Sequence, residues 1–465
     1  MKVRFAITLL LALLLLSARA GALDVKLPQY ERVSLPNGTV LVLSEKRDVP
    51  LIGLEAIVRG GASSDPESLN GLSSLLAQVM QHGAGDRNAA EFSEAIESVG
   101  GELDASADIE GLRISADFMS RDAELMIELV ADMLQRPTLA EEELEKLRER
   151  SINLIKAAKG GNPGQLLSAY GNAFLFGAHP YGNPVGGSEA SLGAITHEDL
   201  LAYYEGFVGG DRLIISVVGD FNLEAMKARL IAAFGEWRAA ASALPALSAA
   251  SKPGGQRVLL IDAPSATQTY FWIGNLGVAI YYPGRAELDL ANTVFGGRFT
   301  SMLNTELRVN AGLTYGARST VSRRLLPGPV VISSFTETST TAEAIDLALE
   351  VLETFRRSGL DDDMLQSARN YIMGQFPPRL ETAPQIAAQL AMLEKYGLDA
   401  SYIDNYGPAL EGASTASVGA VIEEVYPSAD NLSFILIGNA AAIREAVAKY
   451  GQVAEMSIDE PRFRN

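Results

Sequence analysis

Two stretches of this chain repeat each other about 219 residues apart. Leu213–Val218 is a mostly β-branched apolar run, closed by Gly219-Asp220 and followed by a helical pattern over Leu223–Phe234. Leu432-Ser-Phe-Ile-Leu-Ile-Gly438-Asn439 has the same form and leads into a helical pattern over Ala441–Tyr450. A second, unrelated pair agrees. Leu139-Ala-Glu-Glu-Glu-Leu matches Leu360-Asp-Asp-Asp-Met-Leu at an offset of about 221. Two different elements with nearly one offset indicate an internal duplication. The period is domain-sized, so the chain must build one fold twice in tandem and is not a solenoid. Each half mixes strand and helix patterns, which predicts an α+β class with helices packed on a largely antiparallel sheet. Residues 239–255, AAASALPALSAASKPGG, have linker composition and almost no charge. The expected division is therefore 23–238, a linker at 239–255, and 256–465.

The chain has 465 residues, 48% of them hydrophobic, enough to bury more than one core. A net charge of -19 with no basic stripe excludes a nucleic-acid partner. Residues 1–22 read as a secretory signal: Lys2 and Arg4, the apolar run Phe5–Leu16, then small residues suited to cleavage after Ala20 or Ala22. No later stretch reaches membrane-spanning length. Cysteine is absent. There are then no disulfides and no thiolate ligands. The expectation is an exported, periplasmic protein with no membrane association once the signal is cleaved.

Along the first half, Asn37-Gly38 marks a hairpin. Leu51–Val58, Leu103–Ala107 and Leu112–Phe118 read as strands, and Ala89–Val99 and Arg121–Leu134 as helices. Thr138-x-x-Glu141 matches a capping box that would start a long polar helix running to about Lys159.

Within Gly71–Gly83, GLSSLLAQVMQHG, the residues Leu72, Leu75, Leu76, Val79 and Met80 form one apolar helical face. Ser74, Ala77 and Gln78 share the other side, with Ser74 and Gln78 one turn apart. Those are the spacings at which an inverted zinc-protease motif, H-x-x-E-H, places two histidines and a carboxylate. Together with Gly61-Ala-Ser-Ser-Asp-Pro66 ahead of it and His179-Pro-Tyr-Gly182 after it, the stretch resembles the pitrilysin and mitochondrial processing peptidase family, peptidase family M16. The resemblance spans essentially the whole mature chain. It implies two M16/LuxS-like metallohydrolase domains related by pseudo-twofold symmetry.

The motif is present in outline and stripped of its chemistry. It reads Ser74-Leu-Leu-Ala77-Gln78, with no imidazole to bind Zn²⁺ and no carboxylate to activate water. In zinc-bearing relatives the third ligand is a Glu seven residues after another Glu. The matching frame here is Glu149-Arg-Ser-Ile-Asn-Leu-Ile-Lys156, which puts Lys156 at the ligand position. An ammonium there repels a dication. One role open to Lys156 is an ion pair that replaces the metal, whereas Glu149 reads as a solvated helix charge. His82, His179 and His197 are the only histidines and no pair has ligand spacing, so no metal is expected in this chain. His82 reads as a residue at the helix C-terminus.

In the second half, Phe295-Gly-Gly-Arg-Phe-Thr-Ser-Met-Leu303, Leu307-Arg308 and Gly312-Leu-Thr-Tyr315 resemble the F-G-x-x-x-x-S-x-L … L-R-x-x-x-G-L-x-Y block of the family's C-terminal domain. There the Arg and Tyr face the zinc site and hold the reacting region of the substrate. By resemblance Arg308 and Tyr315 take that role, donating to an oxygen that gains charge. Arg308 is expected at a helix end and Tyr315 at the opening of the next strand. The Gly296-Gly297 pair lacks the Lys-Ser/Thr of a phosphate loop and reads as a tight turn. A chain with an erased zinc site and an intact Arg/Tyr block resembles the non-zinc subunit of bacterial heterodimeric M16 peptidases. That resemblance implies a partner subunit carrying H-x-x-E-H and the zinc, and a peptide substrate. The alternative is a non-enzymatic peptide-binding or scaffold member, like the related core proteins of respiratory complexes.

Overall fold

The computed structural model describes residues 25–464, so the expected signal at 1–22 lies outside the described residues. The first half contributes strands β1 (Glu31–Ser34), β2 (Val40–Glu45), β3 (Leu51–Arg59), the two-residue pair β4 (Gly83–Ala84) and β5 (Arg87–Asn88), β6 (Glu102–Ala107), β7 (Gly111–Met119) and β8 (Leu213–Gly219). The second contributes β9 (Arg257–Asp262), β10 (Gln268–Leu276), β11 (Ala317–Arg323), β12 (Pro327–Glu337), β13 (Ser433–Gly438) and β14 (Gln452–Ser457). Residues 239–255 carry neither helix nor strand.

The two six-stranded sheets repeat one topology. Their orders are β1-β2-β8-β3-β7-β6 and β11-β12-β10-β13-β9-β14, the second being the first read backwards. In each, one parallel pair at the centre (β2 with β8, β9 with β13) adjoins antiparallel pairs on the β3 or β10 side. The halves differ at one edge, where β1 runs antiparallel to β2 but β14 runs parallel to β9.

The near-continuous apolar runs of β8 and β13 have a physical cause, since both faces of each sheet are covered. Leu213, Ile215 and Val217 point into the first half's own helical layer. Val218 and Ile214 point the other way, against Ala383, Ile386, Ala387, Leu390 and Ala391. Those five residues stand on a helix of the second half, Ala383–Tyr396. The exchange is reciprocal. Phe434 and Leu436 face the second half's own core, while Ile435 and Ile437 face Leu167, Tyr170 and Ala173 on the first-half helix Leu167–Phe176. Each half thus lends one helix to the other's sheet. Burying one Ile or Leu there stabilises the chain by roughly 1.5–3 kcal/mol.

Polar contacts tie the same seam. Glu110 accepts from Tyr396 Oη at 2.7 Å, from the Leu325 N–H at 3.0 Å, and from Tyr181 Oη. Arg32 forks onto the Glu394 carboxylate at 2.7 and 2.9 Å.

Two local expectations need correction. The long helix spans Glu141–Gly161, but its N-cap is Ala140 and no side chain caps it. The Thr138 N–H instead donates to Gly83 O at 2.9 Å, and Leu139 has φ 46, so the chain bends before the helix and the Thr138 capping box does not form. The helix start is favoured instead by Glu141, Glu142 and Glu143 in its first turn. His82 sits beyond the last turn of the helix Leu72–Val79, and its Nδ1 lies 3.0 Å from Glu143 Oε2.

Candidate functional site

The helix Leu72–Val79 begins after Gly71, whose φ of 95 is open to glycine and strained for other residues. Asp65 holds that start. Its Oδ2 accepts from the Gly71 N–H at 2.9 Å and its Oδ1 from the Ser73 N–H at 3.0 Å. Burial pushes the Asp65 carboxyl up to about 7, with hydrogen bonds from Ser73 and Gly71 pulling in the opposite direction.

Ser74 and Gln78 project together, as their spacing requires. Gln78 Nε2 donates to Ser74 O at 3.2 Å and lies 3.4 Å from Ser74 Oγ. Ala77 departs from the expectation that it shares this open side. It is fully buried in the first-half core, where its small methyl group lets the helix settle. The helix Glu141–Gly161 packs against this one. Glu149 and Lys156 on it are exposed, and Lys156 makes no hydrogen bond or ion pair with any described residue. The ion pair considered for Lys156 is not made.

A hydroxyl, a methyl, a carboxamide and an ammonium do not fit a zinc ion. None is a thiolate, imidazole or carboxylate, and one carries the wrong sign. Each histidine is otherwise engaged. His179 Nε2 lies 2.7 Å from Ser248 O and His197 Nε2 lies 2.7 Å from Leu139 O. Among the described residues no three His, Cys, Asp or Glu side chains gather as a possible metal site.

The second-half block is built differently. Two π-helical turns, Thr293–Gly297 and Thr305–Asn310, flank the short helix Met302–Asn304. Such turns are frequent at functional sites. Arg308 lies in the last turn of the second, at the end of this helical segment as expected, and Tyr315 lies in the loop two residues before β11. Asn304 Oδ1 takes the Ala317 N–H at 3.2 Å and Asn292 Nδ2 donates to Ser319 O at 3.2 Å, which pins this segment along the sheet edge. Arg308 is left half-buried and Tyr315 faces outward. Tyr315 is 82% exposed. The Arg308 guanidinium lies 4.4 Å from the centroid of the Phe299 ring, and neither residue forms a hydrogen bond or ion pair with a described residue.

Rings that the motif did not single out join this block to the first half. Tyr315 stands 6.4 Å from Phe335, and Phe335 stands 5.8 Å from Tyr270, its cross-strand partner on β10. Tyr270 in turn fills the space beside Gly164, in the turn that follows the helix bearing Lys156. The cross-strand pairing was invisible in sequence; Phe299, inside the matched block, was visible but unassigned.

The models of two family segments match the chain: "Insulinase (Peptidase family M16)" over residues 41–186 and "Peptidase M16 inactive domain" over residues 194–372. The chain belongs to peptidase family M16. It is a member of the non-zinc type. Among its M16 relatives, a Bacillus subtilis protein described as the uncharacterized zinc protease YmxG is 24% identical over 76% of this chain and 85% of its own length. A Helicobacter pylori protein described as the non-peptidase homolog YmxG is 23% identical over 94% of this chain and 98% of its own. The solved structure of a peptidase M16 inactive domain from Pseudomonas fluorescens superposes with a TM-score of 0.81 at 23% identity, covering 88% of this chain and 98% of that one. That likeness establishes the M16 fold.

Proposed function

We propose that this M16 chain is the non-zinc subunit of a heterodimeric zinc peptidase. In this reading a partner subunit with an H-x-x-E-H motif supplies the metal. Arg308 and Tyr315 of this chain bind the scissile region of a peptide or unfolded segment in the shared chamber. The observation that carries the reading is the pairing of two facts. The zinc-ligand positions hold no thiolate, imidazole or carboxylate, while the half-buried Arg308 and the exposed Tyr315 leave their hydrogen-bonding groups unused among the described residues. A guanidinium fork and a phenol donate well to a carbonyl oxygen as it gains negative charge. The halves are taken as 23–238 and 256–465. Export to the periplasm is part of the proposal, resting on the leader-like residues 1–22; among the described residues no helix is long and apolar enough to cross a membrane.

The description of the H. pylori relative as a non-peptidase homolog favours a second reading, a peptide-binding or scaffold protein without catalysis. One experiment separates them: cleavage of a quenched peptide by this chain, by the zinc-bearing subunit, and by their mixture. The heterodimer reading expects activity only in the mixture. It also expects Arg308→Ala or Tyr315→Phe to lower kcat about tenfold or more with the complex intact. A partner fully active alone, with no gain on mixing, refutes it in favour of the scaffold.

A further inference from the structure

Water-facing apolar side chains are scattered thinly over most protein surfaces, and a cluster of them calls for an occupant. Phe299 is 69% exposed with its ring against Arg308, and Val309, next to Arg308 in sequence, is 67% exposed. Tyr315 is exposed as well, and the Arg308 guanidinium has no acceptor among the described residues. The Phe299 ring, 4.4 Å from the Arg308 carbon centre, is within cation–π range. It limits the directions in which the fork can point and shields one of its faces from water. Asn304 Nδ2 donates to the Phe299 carbonyl at 2.6 Å and so fixes the backbone that carries the ring.

We propose that Phe299 is a positioning and specificity-determining residue: it holds the Arg308 fork and, with Val309 and Tyr315, selects peptides that present a bulky apolar side chain beside the carbonyl taken by Arg308. This deepens the peptide-binding role given to Arg308 and Tyr315 and rests on that reading. The chemistry of the patch names the occupant. An unpaired cation beside an exposed aromatic ring complements a polar backbone oxygen flanked by an apolar side chain. A purely apolar partner face would leave the guanidinium unsatisfied.

The peptide-binding measurement needs neither zinc nor partner. The purified full chain is titrated into fluorescein-labelled Gly/Ser peptides whose central residue is Phe, Leu or Ser, and anisotropy reports binding. The native chain is expected to bind the Phe peptide about tenfold tighter than the Ser peptide. Phe299→Ala removes most of that preference and Phe299→Trp keeps it. Phe299→Leu keeps apolar contact but loses about two- to fivefold, and in a double-mutant cycle that loss is not additive with Arg308→Met. Unchanged melting of each variant follows from the exposure of the side chain. Equal binding of all peptides by the native chain, or an intact preference in Phe299→Ala, overturns the proposal. So does a Phe299→Ala variant that binds peptide normally but no longer associates with the zinc-bearing subunit, since the patch is then a subunit interface. If the preference holds while the two-subunit mixture fails to cleave, the peptide surface stands and the catalytic reading falls alone.

Discussion

Replacing Gly53 by alanine is expected to destabilise both halves of the molecule at once. Gly53 lies in β3 on the face covered by the helix Ala383–Tyr396. A Cβ at Gly53 would stand 2.4 Å from Pro384 N, 2.5 Å from Pro384 Cα and 2.8 Å from Ala383 C. All three are backbone atoms, so no side chain can swing away. The helix must retreat by about 1 Å, and a gap of that size forfeits roughly a quarter to a half of the dispersion attraction of each contact it opens. The contacts at risk join Ile386, Ala387 and Leu390 to Val40, Val42 and Val218. Overpacking usually costs about 1–3 kcal/mol, and the rigid obstruction puts this case near about 3 kcal/mol.

The two tryptophans give the assay. Trp237 lies in the first-half core and Trp272 in the cluster beneath the helix Leu167–Phe176. Urea titration of single-tryptophan variants, Trp237→Phe or Trp272→Phe, reads each region separately. Gly53→Ala should lower both midpoints together, by about 1 M. Gly419→Ala, in the helix Thr415–Val425 with nothing within 4 Å of its Cβ position, should instead gain about 0.5–1 kcal/mol. An unchanged midpoint for Gly53→Ala would refute the steric argument. A shift seen by Trp237 and not by Trp272 would refute the coupling of the halves through their exchanged helices.

Two further outcomes follow from the first half. The Asp65 carboxyl, held near about 7 by burial, binds its proton more tightly folded than unfolded, where its value is about 4. Folding then favours the neutral form. Its contribution is full below about pH 4 and is lost as pH rises through about 7, on the order of 4 kcal/mol in all. Asp65→Asn should flatten that part of the stability profile in melts across this range, and an identical slope in the variant would contradict the assignment. Installing ligands by Ser74→His, Gln78→His and Lys156→Glu together should create zinc binding detectable by calorimetry. Keeping Lys156 in the otherwise same variant should weaken it by more than about tenfold. No binding by the triple variant would mean that Lys156 does not stand at the third ligand position.

Much of the site was legible because its chemistry is local. Ser74 and Gln78 are one helical turn apart, so their pairing follows from spacing alone. The loss of imidazole and carboxylate at positions 74, 77, 78 and 156 needs no coordinates to be seen. The burial of Ala77 was not legible, because three sides of a short helix pack here and the apolar stripe is wider than its leucines. The Thr138 capping box failed for a similar reason. A tertiary bond to Gly83 captured the N–H group and turned the chain before the helix could start.

From sequence alone come the duplication, the α+β class and the missing ligand set, because each is a matter of residue type and short-range period. Only the tertiary structure decided that the halves exchange helices and that a row of rings runs from Tyr315 through Phe335 to Tyr270. It alone also set an exposed Phe299 ring over the half-buried Arg308. The helix exchange joins residues more than a hundred positions apart, and the rings meet across paired strands. Contacts of that kind leave no periodic trace in the chain; they arise when two sheets, each apolar on both faces, find cover in one another's helices.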